Sequence, residues 1–315
     1  MKIMITGGAG FIGSHLAIRL LKDGHQVTLL DNFHDYYLKS RKLYHLQQIE
    51  QAGFASFYEC DILQKLDVKK VIEKEKPDAI VHLAAVAGVR TSLQKPELYI
   101  DVNMKGLSNV LACAGEEQVA HVLFSSSSSV YGERQNQPLA EHMADGKVLS
   151  PYAASKFGAE ALVHAYEHMY GFQTTILRFF TVYGTWGRPD MAMASFIRKL
   201  LNKDSITVYG KGTGRDYTYV DDIVQGIVLA LYAKDSDVYN IGSNSPILMT
   251  DVLGELVRHF PSMQVNWGGS QKGDATSTWA DITKAKTKLG FKPNIAFEEG
   301  LERTVAWAKK HPQLI

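Results

Sequence analysis

TGGAGFIGSH, residues 6–15, decides the fold. It follows a short apolar run, KIMIT (2–6), and opens FIGSHLAIRLLKDG, where Phe11, Leu16, Ile18, Leu20 and Leu21 recur at helical spacing. Strand, glycines and helix in that order make a tight turn, whose backbone angles glycine adopts without steric cost. The helix start offers free N–H groups and a positive dipole end to a pyrophosphate. Gly7, Gly10 and Gly13 are the turn glycines, with Phe11 and Ile12 between them. Asp31 closes the next apolar run, HQVTLLD (25–31), eighteen residues beyond Gly13. That is the spacing of a dinucleotide fingerprint. A carboxylate there accepts from both ribose hydroxyls and repels a 2′-phosphate, so NAD is expected over NADP. The plainer alternative is a glycine-rich turn with Asp31 as a loop cap.

Further apolar runs lie at 55–60, 79–85, 121–126 and 174–180, with helical stretches near 64–75, 97–117 and 151–170. Strands alternating with helices predict an α/β fold: a doubly wound, parallel Rossmann sheet covered on both faces. Beyond residue 180 the texture changes to loops rich in glycine, proline and arginine, such as TWGRPDM and YGKGTGRD. The expected division is an NAD-binding domain over 1–180, with segments near 219–243 returning to it. A smaller C-terminal substrate-binding domain takes most of 181–315. In the first domain Asp61 follows a strand and is placed to reach an adenine amine. Leu83, Ala84 and Ala85, small or apolar at another strand end, suit close packing against a cofactor.

Composition narrows the function. With a net charge of +1 there is no global electrostatic case for nucleic acid or an anionic membrane. Two distant cysteines make no disulfide framework, and no Cys/His cluster has zinc spacing, so no metal is expected. No leader precedes the first strand and no apolar run approaches a membrane span, which predicts a cytoplasmic protein.

SPYAASKFGAE sets Tyr152 and Lys156 four apart on one helical face, after a proline suited to a first turn. Isolated, such a pair is an ordinary exposed tyrosine and lysine. Downstream of a dinucleotide fingerprint it becomes a candidate base and its electrostatic partner. Lowering a phenol from a pKa of about 10 to about 7 takes roughly 4 kcal/mol. One ammonium about 5 Å away, at an effective dielectric near 20, supplies about 3 kcal/mol of that. A positive nicotinamide ring can supply the rest. The serine run FSSSSSVYG (124–132) reads as the polar end of a strand, from which one hydroxyl would complete the hydrogen bonding.

TGGAGFIG, SSSSSVYG and YAASK together resemble the extended short-chain dehydrogenase/reductase family and, within it, the nucleotide-sugar 4-epimerases. GRDYTYVDDIV (214–224) extends that resemblance towards the C-terminus, and AGVRTS (87–92) with RFFTVYGTWGRPDM (178–191) is similar to the branch acting on UDP-glucuronate. The resemblance implies that Tyr152 is the catalytic tyrosine, Lys156 its lysine and Ser127 the hydroxyl on the sugar O4. Ser128 and Ser129 line the pocket beside it. Asn32 and Ile62 join Asp31 and Asp61 at cofactor positions. Arg215 matches the arginine on the nucleotide diphosphate and Asp274 the residue near the ribose. Asn103, Met191, Phe196 and Tyr209 fall where related enzymes touch substrate or nucleotide, and Arg90, with Arg188, is a substrate-binding candidate that argues against a neutral sugar. Lys272 stands where many relatives carry arginine or proline.

The implied reaction is NAD-dependent C4 epimerisation of a UDP-sugar through a transient 4-keto intermediate. UDP-glucuronate to UDP-galacturonate is the first expectation. A 4-keto uronate is a β-keto acid, so its carboxylate must be held to prevent loss of CO₂. Thr181, Arg188 and the hydroxyls of 127–129 are the expected grip, since a guanidinium binds a carboxylate by two parallel bonds. Epimerisation of a neutral or N-acetylated sugar and decarboxylation of UDP-glucuronate are the rivals, together with a non-catalytic NAD-binding scaffold. Similar decarboxylases keep a glutamate where this chain has Ser129, which disfavours the lyase. Relatives commonly form homodimers through the helices near 97–117 and 151–170. Leu98, Leu107, Val110, Leu111, Ala159, Leu162, Val163 and Tyr166 would line either that interface or the core of one chain.

Overall fold

The computed structural model describes residues 1–315 except 37, 135, 136, 211, 270–274 and 276. Asp274 and Lys272 therefore lie outside the described residues. The strands are β1 (Lys2–Thr6), β2 (Gln26–Asp31), β3 (Ala55–Glu59), β4 (Ala79–His82), β5 (His121–Ser127), β6 (Gln173–Phe179), β7 (Thr181–Tyr183), β8 (Ile206–Tyr209), β9 (Gly214–Tyr219), β10 (Asp237–Ile241), β11 (Pro246–Leu248) and β12 (Val265–Gly268). The helices are α1 (Phe11–Lys22), α2 (Lys39–Ala52), α3 (Lys65–Glu75), α4 (Val89–Gln94), α5 (Pro96–Ile100), α6 (Leu107–Glu116), α7 (Pro151–Tyr170), α8 (Ala192–Leu201), α9 (Val220–Ala230), α10 (Met249–His259), α11 (Thr283–Leu289) and α12 (Phe297–Lys310).

Seven strands form one parallel sheet in the order β10-β6-β5-β4-β1-β2-β3. The doubly wound fold read from the sequence is the one found. Both faces of the sheet are buried, and alternate residues divide between two cores. Ile3, Ile5, Val81, Leu123 and Leu177 face one core with α1 residues Leu16 and Leu20 and α9 residue Ile223. Met4, Ile80, Val122, Phe124 and Ile176 face the other, with Val68, Leu111 and Val163. A period of two, apolar in both phases, is what a parallel strand covered on both sides requires.

The chain winds outward from β1 to β3, then crosses back to β4 on the other side of β1. The strand order reverses between β1 and β4, which opens a crevice at their carboxyl ends. The glycine turn leaves β1 at that point. After β6 the chain builds a three-stranded sheet, β11-β9-β7, and a two-stranded one, β12-β8. Helix α9 packs on α1, and β10 joins the edge of the main sheet beside β6.

The single helix expected near 97–117 is broken. Between α5 and α6 the turn Asp101–Gly106 is a π-helix. It carries Asn103 inward, where its amide brackets both backbone groups of Val86 at 2.9 Å and donates to Ser155 Oγ at 3.0 Å. Asn103 is thus spent bracing the loop after β4, which corrects its reading as a substrate contact. Leu107, Val110, Leu111, Ala159 and Val163 are also buried within one chain, because α6 and α7 pack on each other and on the sheet. They belong to the core. Leu98, Leu162 and Tyr166 are half-buried.

Candidate active site

Two glycines in the turn after β1 leave no room for a side chain. Gly7 has φ +72°, and a Cβ there would lie 2.9 Å from the amide nitrogen of Ala84. A Cβ on Gly13 would sit 2.3 Å from the carbonyl oxygen of Gly7. The turn is thereby pressed between β1 and the end of β4. Helix α1 begins at Gly10 with no side-chain cap and no acidic residue in its first turn. Phe11, Ile12 and Gly13 line a cavity of ≈ 820 Å³. Uncapped N–H groups and an unopposed positive dipole end there fit a dinucleotide's pyrophosphate.

Asp31 lies on the same cavity wall. Its carboxylate accepts from the backbone of Ala9 (3.2 Å) and Phe33 (2.9 Å) and from Lys42 Nζ (2.9 Å). Lys42 comes from α2, a helix the sequence reading passed over. Asn32 Nδ2 donates to Asp61 Oδ2 at 3.0 Å, so these two polar groups hold each other in place. Ile62, Leu83, Ala84 and Ala85 complete this end of the cavity.

At the other end stand Tyr152 and Lys156. Ser150 caps α7 by accepting from Ala153 N–H, and Pro151 occupies its first turn, so the helix starts where both side chains enter the cavity. Lys156 Nζ donates to Ser125 O at 2.8 Å and lies 4.9 Å from the Phe124 ring centroid. Burial lowers its pKa to about 7; Glu160 works against that and Arg188 adds to it. Among the protein's own groups, the expected depression of Tyr152 is not found. Burial raises the phenol, and the groups opposing this are the hydrogen bond to Ser127 and the charge of Arg188. Attraction to one ammonium is outweighed here by the loss of solvation around the phenol.

The hydroxyls of the serine run differ in their partners. Ser125 Oγ donates to His82 O and Ser126 Oγ to the buried Glu160, so both are engaged within the protein although both residues border the cavity. Glu160 is also paired bidentately with Arg178 of β6, at 2.9 and 2.7 Å. Ser127 ends β5, its Oγ 3.2 Å from both the nitrogen and the Oγ of Ser129, and Ser128 begins a 3₁₀ turn. Ser127, Ser128 and Ser129 all line the cavity.

Arg90, Thr181, Arg188, Met191, Phe196, Tyr209 and Arg215 line it as well, so the described residues expected at the site border one cavity, with the exception of Asn103. Arg90 lies over the Tyr209 ring, 5.6 Å from its centroid. Arg215 Nη2 donates to Ala275 O at 2.6 Å. Arg188 differs from expectation, because its guanidinium already holds a carboxylate. Nε and Nη2 bond to Asp190 at 3.1 and 2.6 Å, and the Tyr36 hydroxyl donates to the same Asp190 at 3.0 Å. Asp190 and Tyr36 were missed. Asp190 was visible in GRPDM, two residues beyond Arg188. Tyr36 carries no local signal, being brought in across 154 residues of chain.

A parallel sheet, a glycine turn at its switch point and a Tyr-Lys pair facing one cavity define a dinucleotide-binding α/β protein of the short-chain dehydrogenase type. The chain belongs to the NAD dependent epimerase/dehydratase family, which it matches over residues 3–242. It is 39% identical to protein CapI of Staphylococcus aureus, over 98% of each chain. It is 38% identical to the UDP-glucuronate 4-epimerase of Thermodesulfobacterium geofontis, over 99% of this chain and 97% of that one. Among solved structures, it superposes with a TM-score of 0.93 on the UDP-glucuronic acid 4-epimerase from Bacillus cereus in complex with UDP-glucuronic acid and NAD. That pair is 35% identical over 98% and 99% of the two chains.

Proposed function

We propose that this protein interconverts UDP-glucuronate and UDP-galacturonate by epimerising C4. The observation that carries the reading is the convergence of Tyr152, Ser127 and Arg188 on one cavity wall, with a serine at 129 and no acid in that place. The glycine turn, Asp31 and Lys156 would hold NAD, which would supply the redox chemistry needed at C4. The chain's own residues do the rest. The Tyr152 oxygen takes the O4 proton and gives it back. The Ser127 hydroxyl holds O4 in line with it. Lys156, anchored to Ser125 O, sets the charge beside the phenol. Arg188, Thr181, Ser128 and Ser129 grip the carboxylate, keeping the C5–carboxylate bond out of line with the C4 carbonyl. Arg215, Arg90 and Tyr209 hold the nucleotide end.

The same reading assigns residues 1–180, with 219–243, to an NAD-binding unit and most of 181–315 to a nucleotide-sugar unit. It takes the protein as a cytoplasmic homodimer. No helix among the described residues is long and apolar enough to cross a membrane. Incubation of the NAD-loaded protein with UDP-glucuronate tests the function. UDP-galacturonate is expected. UDP-xylose would mean a decarboxylase, and turnover of UDP-glucose alone would mean a neutral-sugar epimerase.

A further inference from the structure

Outside the Tyr152 group, Arg188 and Asp190 make a charged contact on the cavity wall. It is bidentate, and Tyr36, from the loop after β2, donates to the same carboxylate. The Arg188 guanidinium lies over the Tyr36 ring, 5.4 Å from its centroid. A carboxylate of the protein thus occupies the fork that a sugar carboxylate would need. We propose that Asp190 is a specificity-determining residue: an internal carboxylate that holds Arg188 until the carboxylate of a uronate displaces it. The proposal rests on the functional reading above and adds the group with which the substrate competes.

Two features favour displacement of Asp190 over displacement of Arg188. The Asp190 side chain is the more exposed of the two, 36% against 22%, so it returns to water at lower cost. It also lies two residues before α8, which begins at Ala192 and has no acidic residue in its own first turn. A released carboxylate there remains near a positive helix end. Burial by itself would raise the Asp190 carboxyl, and Arg188, with Tyr36, overcomes that and holds it low, so the aspartate meets the incoming carboxylate as a competing charge. A neutral sugar offers nothing to exchange for it and leaves the pair closed. Charge selectivity then arises from a balance between two carboxylates, in addition to the presence of an arginine.

Titration calorimetry of the NAD-loaded protein with UDP-glucuronate and with UDP-glucose tests this. D190N should tighten UDP-glucuronate about fivefold, the factor equivalent to about 1 kcal/mol for a partly exposed ion pair, and leave UDP-glucose unchanged. Tyr36→Phe, which loosens Asp190 and keeps its charge, should shift uronate affinity in the same direction by less. Unchanged or weaker uronate binding in D190N would overturn the proposal and make Asp190 a support for Arg188. An equal shift for both ligands would overturn it too. Wild-type protein that leaves UDP-glucuronate unconverted would instead refute the functional reading. The two failures are distinct because the D190N comparison is read from binding alone.

Discussion

Tyr152 illustrates how far a single residue's chemistry depends on burial. Enclosure raises its phenol, and Ser127 and Arg188 pull the other way. Tyr152→Phe should reduce turnover of UDP-glucuronate by about 10²–10⁴-fold while NAD binding persists, measured by product formation and by cofactor titration. Arg188→Ala should weaken UDP-glucuronate and release UDP-4-keto-pentose or UDP-xylose as the unrestrained carboxylate departs, detectable by mass spectrometry of the products. Lys156 gives a pH prediction. Its folded pKa is about 7 against 10.5 for the ordinary side chain. Between those values the unfolded chain holds a proton that the folded chain lacks, so stability rises with pH across that window. The penalty for burying Lys156 is full below about pH 7 and fades towards 10.5. Wild type should therefore gain on Lys156→Met as pH is raised, measured by urea titration at each pH.

At the level of elements, the glycine turn and the π-turn after α5 each join a strand end to the cavity. Ala at 13 would force its Cβ to 2.3 Å from Gly7 O. Gly13→Ala should cost about 1–3 kcal/mol of stability and weaken NAD, read by denaturation and by cofactor titration. Asn103→Ala would leave both backbone groups of Val86 without their partner. Each stranded buried group costs about 1–3 kcal/mol, so the midpoint of unfolding should fall clearly. The loop carrying Arg188 is tied to the cofactor half: Arg41 of α2 donates to Gly187 O at 2.6 Å, and His15 of α1 bonds Thr185 at 3.1 Å. Trp186 between them takes φ +64° with its ring stacked on His45. Packing from α1 and α2 thus holds a backbone conformation that a tryptophan rarely adopts.

Across the whole molecule, one buried pair links β5, α7 and β6. Glu160 and Arg178 are each about 6% exposed in their side chains, and Ser126 and Tyr131 complete the network. Removing one partner leaves a buried charge unpaired. Glu160→Gln should therefore destabilise the protein by about 3–5 kcal/mol, measured by urea unfolding. It should also depress Lys156 further, since Glu160 is the group that holds its proton on. A homodimer would have to use surface outside this core, because most of the residues nominated for an interface are filled by the chain's own packing.

The parallel sheet, the cofactor turn and the Tyr-Lys pair were legible in sequence because each is written in local terms. Apolar runs of period two, glycines where a Cβ would collide, and an i, i+4 spacing need no knowledge of distant residues. The described residues expected at the site then fell on one cavity, Asn103 excepted. The rest depended on groups far apart in the chain. Tyr36 meets Asp190 across 154 residues, Lys42 reaches Asp31 from an unforeseen helix, and Asn103 turns inward on a break in helix geometry. The charge state of Tyr152 and Lys156 is set mainly by desolvation, a property of the enclosing volume. The sequence by itself determined which chemistry the residues can carry out. Which carboxylate Arg188 holds, and the direction in which burial shifts Tyr152 and Lys156, came with the folded chain, because both depend on contacts and enclosure that form when the chain closes on itself.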